Sequence, residues 1–151
     1  MDVNSIPLFL IHMKYLLLIL VGCISFIGMA QNKSDLIVTS SGYKNLKGAI
    51  FIAVYNSEQN YMHQEKASYL AIVKPSVDKT SYTFKNVPSG VYAVTVFYDE
   101  NQNGKLDFNF FGAPKEKNGF SNNVRWFLGP AKYEKAKFNH SGTQEIFINL
   151  E

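Results

Sequence analysis

Short runs of β-type residues, broken at close intervals by Gly, Pro, Asn and Ser, constrain this fold more than any other feature of the chain. Residues 36–41, 49–55, 68–74, 80–85, 91–98, 135–139 and 145–150 read as strands. Residues 49–55 are apolar on both faces, the pattern of a central strand covered on both sides. In 91–98 the faces separate: Tyr92, Val94, Val96 and Tyr98 alternate with Val91, Ala93, Thr95 and Phe97. Val87-Pro88-Ser89-Gly90 reads as a turn in which Pro presets φ and Gly90 takes a positive φ, so Gly90→Val is expected to strain the backbone. Pro75 stops the third strand, and a turn at His140-Ser141-Gly142-Thr143 is expected to join the last two. About seven strands at hairpin spacing predict an all-β domain, an antiparallel β-sandwich of the immunoglobulin-like or transthyretin-like kind, with a closed barrel as the alternative. No internal repeat is visible, and residues 126–134 fit no single element.

Composition removes other classes. With 46% hydrophobic residues and a net charge of +3, the chain is too apolar and too weakly charged to be disordered throughout. One cysteine excludes a disulfide scaffold. The densest basic cluster, Lys132, Lys135 and Lys137, is interleaved with Glu134 and apolar residues, a solvated strand face and not a nucleic-acid surface.

Residues 1–30 read as an export segment. Lys14 precedes an apolar run, 15–30, in which only Ser25 is plainly polar, and Gly28 and Ala30 supply a small-residue cleavage site. The run is short for a membrane span of about 20 residues. The twelve residues before Met13 carry Asp2 and no Lys or Arg, so Met13 is the expected start of translation. The mature domain is then 31–151, exported to the periplasm or beyond. Leu20-Val21-Gly22-Cys23 offers an alternative, lipidation at Cys23, which would tether the protein to a membrane.

The segment 99–123 is polar, rich in Asn and Gly, and too long for a passive connection. Its first nine residues, Asp99 to Asp107, fit D-x-N-x-N-G-x-x-D. Calcium takes about six to eight oxygens, and this spacing turns alternate side chains inward around a sharp bend. The expected ligands are Asp99, Asn101, Asn103, the Lys105 carbonyl and Asp107. A full EF-hand has Glu at position 12, where Phe110 stands, and is entered from a helix. Glu116, across the loop, is the candidate replacement carboxylate. The same residue types are also good turn formers, so a bare turn is the competing reading. With no more than three carboxylates, any calcium would bind weakly, at about 10⁻⁴–10⁻³ M. Asp99→Ala is expected to abolish it and leave the fold intact.

The segments 86–94, 98–107, 112–116 and 119–123 together resemble the DUF2141 family of exported bacterial proteins of unknown function, a resemblance covering nearly the whole mature chain. It implies export and a compact domain, and no reaction. The family commonly has His directly before the Asp; Tyr98 stands here, so no role of that His carries over.

No catalytic constellation is visible. The mature chain has only His63, in a polar loop, and His140, in the expected turn; both read as solvated. G-x-S-x-G, H-E-x-x-H and phosphate-loop patterns are absent from the sequence. The leading expectation is therefore a non-enzymatic envelope module. One alternative is a glycan- or peptide-binding module using Phe108, Phe110, Phe111, Phe120, Trp126 and Phe127, which would leave those rings exposed as a patch, whereas a structural module would bury them. The other is an envelope hydrolase using the acidic residues Asp99, Glu100, Asp107 and Glu116.

Overall fold

The computed structural model describes residues 32–125 and 129–151. The export segment, Cys23, Trp126 and Phe127 lie outside the described residues.

Two sheets form. In the first, β1 (Lys33–Ser41) lies between β4 (Lys79–Pro88) and β8 (Gln144–Asn149). In the second, the order is β3 (Tyr69–Val73), β2 (Ala49–Tyr55), β5 (Gly90–Asp99), β6 (Asn118–Phe120), with β7 (Phe138–His140) alongside the start of β5. They are separate hydrogen-bonded units, so the sandwich forms and the closed barrel does not. Period-2 alternation fills the core between them: Leu36 and Val38, Ile50, Ile52 and Val54, Phe84, Tyr92, Val94, Val96 and Tyr98, and Ile148 pack in one cluster.

The face of β5 expected to hold Tyr92 to Tyr98 is the core face. β2 is central and covered on both sides, as its apolar run implied. Its outward Ala53 and Tyr55 join Ala93, Phe120, Tyr61, Ala131, Tyr133 and Ala136 in a second cluster.

Several expectations are corrected. There are eight strands among the described residues, because β6 lies inside the segment read as loop. The expected strand 135–139 is divided: a one-turn helix, α1 (Tyr133–Ala136), precedes β7. β7 and β8 do not make a hairpin. β7 pairs with β5, whereas β8 crosses to the other sheet and runs parallel to β1, Leu36 opposite Gln144 through Ser41 opposite Asn149. This is the one parallel pairing in two otherwise antiparallel sheets among the described residues. Gly90 is not among the positive-φ residues; Asn86 is, at φ 56°. The chain passes from sheet to sheet at Ser89, and the left-handed residue serves a bulge where β1 and β4 shift register between Ser34 and Leu36. There the Asp35 carboxylate accepts from Lys85 Nζ at 2.6 Å and from the Asn86 N–H at 3.4 Å.

Candidate functional site

β5 ends on Asp99, which is 1% exposed. A carboxylate at that depth needs donors, and the next turn supplies them: Oδ1 accepts from the Asn103 N–H at 3.2 Å and Oδ2 from the Gly104 N–H at 2.8 Å. Gln102 (φ 62°) and Gly104 (φ 78°) take the left-handed conformations that fold the chain back. Asn101 Oδ1 accepts from the Asn103 N–H at 3.0 Å, and Asn103 Oδ1 from the Lys105 N–H at 2.9 Å. Both carboxamides then donate to one atom, Asp107 Oδ2, at 2.7 Å from Asn101 and 3.0 Å from Asn103.

Four of the six expected ligands, Asp99, Asn101, Asn103 and Asp107, thus share one hydrogen-bonded loop. Lys105 enters it through its N–H. Glu116 stands across the loop as anticipated, but both its oxygens are engaged: Oε1 accepts from the Glu100 N–H at 3.1 Å and Oε2 from the Asp107 N–H at 3.2 Å. Partial burial pushes its carboxyl above the usual range, and the Asp99 and Asp107 charges add to that, against the two backbone donors, which pull it down. Among the described residues no three His, Cys, Asp or Glu side chains are grouped closely enough to hold a metal ion. The expected set is therefore gathered through its carboxamides, not as a carboxylate cage, and Asp99 works as a cap on the loop backbone.

A second turn follows. Phe108 bridges Pro114, and the Asn109 N–H donates to the Ala113 carbonyl at 2.8 Å. Asn109 Oδ1 accepts from the Phe111 N–H at 2.9 Å and the Ala113 N–H at 3.0 Å, while the Gly112 N–H reaches the Asn109 carbonyl at 3.0 Å. This one asparagine closes the turn. At its tip Phe110 and Phe111 are 96% and 88% exposed, their rings 5.5 Å apart at 86°. Phe108 is half exposed; Phe120 is buried. The loop aromatics are thus split between patch and core. Asn109 was missed in the sequence, where the signal was an Asn three residues before a Gly.

The histidines differ from each other. His63 is exposed and sits 3.6 Å from Glu65. His140, expected in solvent, is 1% exposed, because its β7 position faces Tyr92 and the start of β1. The Ser34 hydroxyl and His140 Nε2 are 2.9 Å apart, a nucleophile–base distance, but Nδ1 has no hydrogen-bond partner among the described residues, so no carboxylate orients the ring.

No curated protein and no solved structure matches the chain. A family model described as "Uncharacterized protein conserved in bacteria (DUF2141)" matches residues 38–147, most of the chain, including both turns between Asp99 and Glu116. The chain belongs to the DUF2141 family.

Proposed function

We propose that this is an exported, non-catalytic binding module of the bacterial envelope that presents the tip of its 108–114 turn to a protein or peptide partner. The observation that carries this reading is the exposure of Phe110 and Phe111 on a turn closed by Asn109. Two adjacent large rings held in water by a hydrogen-bonded turn are costly unless something covers them, and aromatic anchors dominate protein interfaces. A peptide suits them better than a glycan, since perpendicular rings offer no flat stacking platform. The apolar run 15–30 supports export, and the unoriented Ser34–His140 pair argues against catalysis.

The test is a photo-crosslinking residue placed at Phe110 or, as a control, at exposed Val77, in cells expressing the full chain. A discrete adduct in the envelope fraction from position 110 alone is expected, lost on Phe111→Ser. Equal or absent labelling at the two positions would leave a purely structural module. Intact mass of the same material is expected to show an N-terminus at Gln31; a lipidated Cys23 would replace cleavage by anchoring, and an uncleaved chain would contradict export.

A second reading concerns the preceding loop. We infer that its Asn101, Asn103 and Asp107 take up calcium weakly. The convergence of both carboxamides on Asp107 Oδ2 supports this, because rotating them about χ2, which gives up the bonds their oxygens accept from the Asn103 and Lys105 N–H groups, presents oxygens where nitrogens now stand.

A further inference from the structure

The outer faces of the two sheets differ in balance. On the first, Thr39 Oγ1 lies 2.7 Å from both Ser81 Oγ and Glu145 Oε1, in a mainly polar face on which Phe147 is also exposed. On the second, register aligns two rows across the strands. One is Ile72, Phe51, Phe97 and Asn118; the other is Leu70, Ala53, Thr95 and Phe120. Both are dominated by apolar residues, and at the β3 edge Ile72 and Leu70 are 57% and 45% exposed.

The second row is low in its middle. Ala53 and Thr95 are small, and both line the hollow. Phe51 and Phe97, stacked at 4.7 Å, form a wall on one side. Leu106 and Phe108 from the 99–117 loop and Met62 from the 56–67 segment contribute further lining, and the hollow left between them measures ≈ 220 Å³. That exceeds the roughly 150 Å³ that admits benzene and falls below the roughly 300 Å³ at which drug-sized sites begin. The polar lining residues are Thr95, Gln64, Asn118 and Lys105. Lys105 carries the one charge among them and takes part in no ion pair among the described residues.

We propose that the hollow over Ala53 and Thr95 binds a small apolar carboxylate, its hydrocarbon against the Phe51–Phe97 wall and its anion at Lys105. The volume sets the size, the lining sets the apolar body, and the unpaired lysine on the lining sets the sign of the head group. Neither Phe110 nor Phe111 lines this hollow, so the inference stands apart from the partner reading above.

The test titrates octanoate, octan-1-ol and octylammonium into the ¹⁵N-labelled protein and follows amide shifts. Octanoate is expected to give saturable shifts at Ala53, Leu70, Thr95 and Gly119, binding more tightly than the alcohol, with octylammonium weakest. Lys105→Gln is expected to raise the octanoate Kd about two- to fivefold, the range of an exposed ion pair, and to leave the alcohol unchanged. Ala53→Leu, which fills the hollow, should abolish both; Lys105→Gln, on an exposed loop, keeps the test valid if that variant fails to fold. Equal binding of all three compounds, an unchanged Kd in Lys105→Gln, or shifts that follow protein concentration and report a second copy would each overturn the proposal.

Discussion

Asp99 has a part in the fold that its spacing did not reveal. The spacing marks it as a ligand on a loop, dispensable to the fold. In the structure it is buried, and its two oxygens satisfy two backbone donors at the end of the central strand. Asp99→Ala leaves both N–H groups without that partner, so it should cost about 1–3 kcal/mol. Urea denaturation would measure this; a midpoint equal to wild type would remove the cap from the account. The glycines invert in the same way. Gly90 lacks the positive φ that its turn chemistry suggested, and the nearest atom a Cβ there would meet is in the Tyr92 ring, at 3.3 Å. Gly48 sits at φ +87° with the Asp99 carbonyl oxygen 2.2 Å from where its Cβ would be, against backbone that cannot swing aside. Gly48→Ala is therefore expected to lower Tm far more than Gly90→Ala. Comparable melting of the two variants would contradict this placement of strain.

At the scale of elements, legibility followed the hydrophobic pattern. β2 was readable to its ends because all seven residues are apolar between turn signals, and β5 to its faces because ten residues repeat the alternation several times, whereas β1 and β4, at nine and ten residues, were read only over 36–41 and 80–85. Asn118-Gly119-Phe120 completes barely one period, and is a strand only because Thr95 to Phe97 offer it an edge. β7 is equally short and takes the other end of the same edge, and the parallel pairing of β8 with β1 depends on contacts more than a hundred residues apart. His140 was misread for the same reason: a turn next to a three-residue strand gives no sign of which sheet will bury it. The 99–107 loop was legible because its contacts span six residues or fewer. Glu116 was placed on the correct side of the loop, but its backbone partners could not be read from its type. In the 108–114 turn the Asn109 side chain accepts from two amides beside two backbone–backbone bonds, so Asn109→Ala should raise amide exchange at Phe111 and Ala113 while shifting Tm little, since the freed groups reach water. Unchanged protection at both amides would show that backbone hydrogen bonds alone hold the tip.

For the molecule as a whole, calcium is a question of linkage. The loop begins where β5, paired with both β2 and β6, leaves the core, so an ion held there binds the folded state and has no equivalent site in the unfolded chain. Such binding stabilises by RT ln(1 + [L]/Kd), about 1.4 kcal/mol at 10 mM calcium for a Kd near 1 mM. In a domain of this size that raises Tm by a few degrees. Asp107 is the residue to remove. Its Oδ2 gathers both carboxamides, and unlike Asp99 it does not cap the strand end, so Asp107→Ala should abolish the calcium increment at a smaller cost to basal Tm than Asp99→Ala. Magnesium should do less, because it demands near-octahedral geometry and keeps its waters. Calcium and magnesium titrated at matched ionic strength separate site binding from general screening, which acts on both alike. A calcium-specific rise lost in Asp107→Ala supports the site; equal shifts for the two ions, or a rise that survives in the variant, would leave the loop as a turn closed by its own hydrogen bonds.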